Sequence, residues 1–160
     1  MLVHAAAGGV GTFAVQIARA YGATVIGTAS EGNHEYLRSL GVIPISYGSG
    51  FVDRVRAVAP KGVDAALDAV GGEALAASLE VVKQKERIGT IVEFEQATQL
   101  GVRAIRSQRS ADRLQHLVDL YNRDQLRITI RQSFPLHLAA KAHQELESGH
   151  GRGKVVIVIE

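Results

Sequence analysis

Short apolar runs alternate with helical patterns from the start of the chain to residue 92. Between the runs, apolar residues recur every three or four positions, which is the spacing of a helix with one buried face. The predicted strands are 2–6, 24–28, 42–46, 63–69 and 88–92, and the predicted helices are 9–21, 33–40, 51–59 and 73–82. Strands that alternate with helices indicate right-handed βαβ units around a parallel sheet. We therefore expect a three-layer, doubly wound α/β fold.

The rest of the chain has a different pattern. A weak strand at 102–105 precedes an amphipathic helix at 111–122, for which Ser110 is the candidate N-cap. A strand, a helix and a final strand follow; their predicted bounds are 127–133, 138–148 and 155–159. We therefore divide the chain into a domain at 1–126 and a C-terminal strand-helix-strand extension at 127–160.

Composition excludes several classes of protein. The chain has 160 residues, the size of one ordinary domain, and its net charge is 18 − 16 = +2 with the charges interspersed. Nucleic-acid binding is therefore not indicated. Cysteine is absent, which excludes disulfides and thiolate metal sites. Because no apolar run is long enough for a bilayer and no signal peptide is evident, we expect a cytoplasmic protein without a membrane partner.

The sharpest motif is the glycine-rich segment AAGGVG at 6–11, between the first predicted strand and the first predicted helix. A dinucleotide-binding Rossmann fold has its glycine fingerprint at this place. Gly8 and Gly9 have no Cβ to keep a pyrophosphate from the backbone N–H groups at the start of the helix. Gly11 would let the helix lie close to the strand, whereas Ala6 replaces the usual first glycine. The alternative is a glycine-rich turn that binds nothing.

The end of the second strand bears on the choice of cofactor. An NAD site normally has an acidic residue there for the ribose hydroxyls, but this strand ends at Ala29 or Ser30, and Glu31 lies beyond it. Two nearby cations and two small donors suit a 2′-phosphate instead, namely His34, Arg38, Ser30 and Asn33. We therefore predict NADP(H) rather than NAD(H). The alternative is that Glu31 and Arg38 are solvated charges at a helix end.

No other group of residues forms a convincing site. The histidines, at 4, 34, 116, 137, 143 and 150, do not pair with acids in a metal-ligand pattern, so no metal is expected. We interpret His4 as a strand-end residue and Asp68 as a capping or core-edge carboxylate rather than a base. The segment GRGK at 151–154 could be a phosphate loop, but a basic turn before the last strand is the simpler interpretation. The catalytic residues stay unknown.

Five segments together resemble a known family. They are LVHAAAGGVG at 2–11, VIGTAS at 25–30, LRSLG at 37–41, VDAALDAVGGE at 63–73 and LESGHGRGKVV at 146–156. The chain is similar over essentially its whole length to the zinc-independent medium-chain dehydrogenases/reductases of the quinone oxidoreductase subgroup. HAAAGGVG also resembles polyketide-synthase enoylreductase domains of the same superfamily.

The resemblance implies roles for individual residues. Gly8, Gly9 and Val10 would surround the pyrophosphate of NADPH, and Val70 would lie against the cofactor. Ser30, Asn33 and Tyr47 would surround its 2′-phosphate, and the backbone at 90–92 would lie near the nicotinamide. Relatives often have a basic residue near position 32 or 34, where this chain has Gly32 and His34. Tyr47 could equally be a partly exposed aromatic residue after a strand.

The resemblance also implies a wider context. Members of the family begin with a β-rich catalytic domain, which this sequence lacks, and the extension at 127–160 would pack on that domain. The implied activity is NADPH-dependent reduction of a quinone or an enone-like small molecule. The alternatives are the enoylreductase domain of a polyketide synthase and a non-catalytic dinucleotide-binding fragment. Relatives commonly dimerise through the strand at 102–105, so a homodimer is expected.

Overall fold

A computed structural model of the chain describes residues 1–147, 149 and 151–159. Six strands form one sheet, and two further strands form a second. The strands are β1 (Leu2–Val3), β2 (Ile26–Thr28), β3 (Ile43–Ile45), β4 (Ala66–Asp68), β5 (Ile88–Thr90), β6 (Arg103–Ala104), β7 (Ile130–Pro135) and β8 (Lys154–Val158). The helices are α1 (Gly11–Ala20), α2 (His34–Ser39), α3 (Phe51–Val58), α4 (Glu73–Val81), α5 (Phe94–Leu100), α6 (Ala111–Asn122) and α7 (Ala139–Glu147).

The large sheet has the strand order β3-β2-β1-β4-β5-β6, and all of its neighbouring strands are parallel. This order confirms the predicted doubly wound α/β fold. The chain builds outward from β1 in one direction and then returns to place β4 on the other side of β1. A crevice opens at such a reversal, beyond the carboxyl ends of the strands, and ligands of open α/β sheets bind there.

The core lies on both faces of this sheet. Leu2 belongs to one buried cluster together with residues of α3 and α4, and the next residue, Val3, belongs to a second cluster with residues of α1 and α2. Successive strand residues point to opposite faces, so two adjacent apolar residues serve both layers. The short strands therefore read as continuous apolar runs, as expected for a sheet that helices cover on both sides.

The spacing of Phe13, Ala14, Ile17, Ala18 and Tyr21 predicts that these residues form the buried face of α1, but the structure buries a different face. Thr12, Val15 and Gln16 are buried, whereas Tyr21 is 71% exposed. The reason is the C-terminal extension, which covers the polar side of α1: the side-chain amide of Gln16 accepts a hydrogen bond from Arg127 N and donates one to Arg127 O. Periodicity of apolar residues could not predict this face, because two of its buried residues are polar.

Other differences are local. The first strand is shorter than predicted because the chain turns at Ala5, which has a φ of 51°. Helix α5 was not predicted, since of its seven residues only Ala97 is buried. Helix α6 has the predicted bounds, and Ser110 Oγ accepts a hydrogen bond from Arg113 N, which confirms the cap. Its apolar residues are mostly exposed, however, as Leu114 is 64% accessible.

In the C-terminal extension, β7 and β8 pair in parallel with an irregularity between Ile130 and Gln132. Strand β7 begins three residues later than predicted. The predicted end of the last helix at Ser148 lies outside the described residues, as does His150 of the histidine set. Within the described residues, no helix is both long and apolar enough to cross a membrane.

Candidate functional site

The glycine-rich segment forms the turn between β1 and α1. Gly8 N donates to Ala5 O over 3.0 Å, and Thr12 N donates to Gly8 O over 3.0 Å. A Cβ at Gly11 would collide with Ala5 O and would lie 2.7 Å from Ala6 Cα. This contact confirms the packing reason given for Gly11, because only glycine lets the helix start so close to the strand. Val10 precedes the helix without a side-chain cap.

A cleft of about 530 Å³ lies at the carboxyl ends of β1 to β4. Most of its described lining residues follow the ends of β1 to β4 or belong to α3 and α4, while Thr28 ends β2 and two glycines belong to the C-terminal extension. The lining consists of His4, Ala5, Ala7, Gly8, Thr28, Ala29, Ser30, Asn33, Tyr47, Gly48, Phe51, Val70, Gly71, Glu73, Ala74, Ala77, Gly149 and Gly151. Five of the predicted site residues are thus brought together, namely Gly8, Ser30, Asn33, Tyr47 and Val70. Glu31 is not among the lining residues described, so the wall after β2 lacks the carboxylate typical of an NAD site.

The structure does not place the other four predicted site residues in the lining described. The β-position of Gly9 faces Gly153 O and Lys154 Nζ, both 3.3 Å away, and so points at the C-terminal extension. Val10 and Gly11 lie at the start of α1, beside the cleft. His34 Nε2 lies 3.3 Å from Ala29 O, so the ring contacts the backbone of the strand end. These positions leave the roles of the four residues as predictions.

Arg38, the second predicted cation, is engaged elsewhere. It forms an exposed ion pair with Glu35 one turn away on α2. This pairing agrees with the interpretation of Arg38 as a solvated charge at a helix end. At the same corner, Asn33 Nδ2 donates a hydrogen bond to Ser30 Oγ over 3.1 Å.

Asp68 organises the loops that follow β4 and β5. Its Oδ1 accepts hydrogen bonds from Val70 N at 3.0 Å and Gly71 N at 2.8 Å, and its Oδ2 accepts one from Thr90 Oγ1 at 2.7 Å. The carboxylate is fully buried, and its two oxygens are used in holding these loops. The interpretation of Asp68 as a capping carboxylate is thereby confirmed. Its consequence for the site is that Val70 has a fixed position in the wall of the cleft.

His4 lies in the site, although the sequence indicated only a residue at the end of a strand. It is 2% exposed, lines the cleft and lies with its ring 5.4 Å from that of Phe51. Ser78 Oγ donates to Ala74 O, so this hydroxyl has only its acceptor side left for His4 Nε2, which lies 2.8 Å away. Burial lowers the pKa of His4 to about 4, against a smaller opposing effect of the Asp68 charge. At neutral pH the ring is uncharged and donates through Nε2.

The C-terminal extension contributes two cations, Arg152 and Lys154, from the segment that we interpreted in the sequence as a basic turn. Gly153 N donates to Ala7 O over 3.0 Å, which joins this turn to the glycine-rich segment. The Lys154 ammonium lies beside Gly9, 5.2 Å from the centre of the Phe13 ring. The Arg152 guanidinium lies 5.2 Å from the centre of the Tyr36 ring. The charge of the segment GRGK at 151–154 was the sequence signal for this contact. The residues that the segment contacts could not be predicted, because they are far from it in the sequence.

A sequence model of the family described as zinc-binding dehydrogenase matches residues 42–157. The chain belongs to this family, the medium-chain dehydrogenases/reductases. Despite the family description, no cluster of three or more His, Cys, Asp or Glu side chains able to hold a metal ion occurs in the part of the chain that the structure describes. The described residues therefore do not provide the ligands that a zinc ion needs.

Individual relatives agree with this assignment. Over 99% of this chain, the synaptic vesicle membrane protein VAT-1 homologue of Rattus norvegicus is 30% identical. The quinone oxidoreductase of Coxiella burnetii is 32% identical with a TM-score of 0.82, and 99% of this chain covers 52% of that one. The CurK enoyl reductase is 30% identical with a TM-score of 0.81, and the match covers 99% of this chain and 54% of that protein. A mycobacterial protein solved in complex with NADPH is 27% identical with a TM-score of 0.81, and the coverage is 98% and 55%. The chain spans 48% of the rat relative, about half its length.

Proposed function

We propose that this chain is the NADPH-binding portion of an oxidoreductase that reduces a quinone or an enone-like small molecule. The observation that carries the proposal is the cleft at the reversal of the sheet. Gly8 of the glycine-rich turn lines this cleft; Ser30 and Asn33 follow β2, where an NAD site would have a carboxylate, and Tyr47 follows β3 in the same lining. The mycobacterial relative solved with NADPH supports the same cofactor.

Each part of the cleft then has a role in holding the dinucleotide. Gly8 leaves the backbone open to the pyrophosphate, and the Lys154 ammonium beside Gly9 would offset its charge. The Ser30, Asn33 and Tyr47 side chains would donate hydrogen bonds to the 2′-phosphate. Val70, fixed through Asp68, would pack against the cofactor. The bound nicotinamide supplies the hydride, while these residues orient the cofactor.

The substrate would contact both this chain and a further domain. The extension at 127–160 has apolar residues that are exposed to solvent in this chain, since Ile157 is 39% and Val158 is 45% exposed. A further domain packed on β7 and β8 would cover them. A homodimer through the open edge of β6 would complete the assembly.

The similarity to the CurK enoyl reductase favours a second candidate, an enoylreductase of a polyketide synthase. The two candidates differ in the acceptor, which is a quinone in one case and an enoyl thioester in the other. Oxidation of NADPH by the chain together with the domain that binds the substrate, followed at 340 nm with each acceptor, distinguishes them. If that protein binds NADPH and oxidises it with neither acceptor, the chain is a binding module without turnover.

The cofactor choice is tested with Ser30→Asp. A carboxylate placed among the groups proposed for the 2′-phosphate should weaken NADPH binding about tenfold, which corresponds to about 1.4 kcal/mol, and leave NADH binding unchanged or improved. Ser107→Asp, an exposed position that is not part of the cleft lining described, is the matched control for the added charge. Equal loss of NADPH affinity in both variants would exclude a specific phosphate site at Ser30.

A further inference from the structure

Arg54, on the first turns of α3, holds the loop that follows β3. Its Nε donates to Ser46 O at 2.9 Å, and one terminal nitrogen donates to Tyr47 O and Gly48 O, each at 3.1 Å. Three successive carbonyl oxygens thus converge on one guanidinium.

Besides Arg54, the described residues restrain this loop through the hydrogen bond from Phe51 N to Gly48 O at 3.0 Å. Gly48 and Gly50 both have positive φ values, 83° and 74°, and glycine restricts the backbone less than any other residue. The Tyr47 side chain is 62% exposed and lines the cleft, so its own packing fixes it little. The described lining of the cleft does not include Arg54 itself. The contacts of Arg54 therefore act on the backbone that carries Tyr47.

On this geometry, we propose that Arg54 is a positioning residue that holds Tyr47 for the 2′-phosphate and thereby sets the preference for NADPH over NADH. The inference rests on the proposed function, since it assumes that a dinucleotide occupies the cleft. Only NADPH has a 2′-phosphate for the Tyr47 hydroxyl to contact. Loss of the three hydrogen bonds would leave the loop to be ordered during binding, and that cost would fall on NADPH.

Substitutions at Arg54 separate its geometry from its charge. Arg54→Ala should weaken NADPH binding roughly five- to tenfold and NADH binding less than about twofold. Arg54→Lys keeps the charge but has one nitrogen in place of a planar fork, so it should behave like Arg54→Ala. Arg56→Ala is the matched control, because Arg56 is exposed on the same helix. Dissociation constants from calorimetry, with circular dichroism for the fold, give the result.

A double-mutant cycle tests whether Arg54 acts through Tyr47. In the Tyr47→Ala background, Arg54→Ala should change NADPH affinity less than about twofold, because the side chain that it positions is gone. The proposal would be overturned if the losses of NADPH affinity in Arg54→Ala and Tyr47→Ala multiplied in the double variant. It would also be overturned by wild-type NADPH affinity in Arg54→Lys, or by equal losses of NADPH and NADH affinity in Arg54→Ala. If the wild-type chain binds neither dinucleotide, the proposed function itself fails, which is a different result from unchanged binding in the Arg54 variants.

Discussion

The buried His4 predicts how the stability of the chain depends on pH. Its pKa is about 4 in the folded chain and 6.5 in an unfolded one, because burial disfavours the charged ring. The unfolded chain therefore takes up the proton first as the pH falls. The stability associated with the neutral ring is fully present above pH 6.5 and is lost as the pH falls towards 4. At pH 4.5 this difference amounts to about 2–3 kcal/mol of the free energy of unfolding.

His4→Gln tests this reasoning, since glutamine can donate to Ser78 Oγ but does not titrate. Urea unfolding, followed by circular dichroism at pH 7.5 and 4.5, gives the free energy of unfolding of each protein. Wild type should lose about 2–3 kcal/mol more than His4→Gln between the two pH values. His143→Gln, at an exposed position, should lose as much as wild type. Equal losses in wild type and His4→Gln would refute the account of a neutral His4 in the wall of the cleft.

Two further predictions concern cofactor binding and association. Lys154→Met should weaken NADPH binding about three- to tenfold, with a smaller loss at high salt, whereas Lys61→Met at an exposed position should have little effect; equal losses in calorimetry would contradict a role for Lys154. Ala104→Pro should convert a dimer into a monomer without unfolding it. Since Ile105 N donates to Thr90 O, the N–H of the preceding Ala104 faces the open edge of β6, and proline removes that donor. Light scattering that shows a monomeric wild type, or a dimer in both proteins, would exclude this interface.

The alternation of apolar runs and helical spacings was sufficient to predict the sheet. The central strands β1, β2, β4 and β5 are covered by helices on both faces, so they consist of consecutive apolar or small residues such as Leu2 and Val3. Helix α6 could be located to the residue because Ser110 caps it. Helix α5 could not, since a short helix with a single buried alanine has no detectable period.

The site was predictable where one segment provides a whole feature. The glycine-rich turn and the end of β2 are of this kind, and the cleft indeed contains Gly8, Ser30 and Asn33. Contacts between distant segments could not be predicted. Gln16 meets Arg127 across 111 residues, and His4 meets Ser78 across 74, so neither pair leaves a local pattern. The burial of these polar side chains depends on the fold that surrounds them.

Titration of the purified chain with NADPH and NADH in a calorimeter tests the central claim most directly. We expect one dinucleotide to bind per chain, NADPH to bind more tightly than NADH, and Ser30→Asp to lose that preference. Saturable binding with NADH the tighter ligand would contradict the cofactor proposed here, and the absence of saturable binding of either dinucleotide would contradict the site.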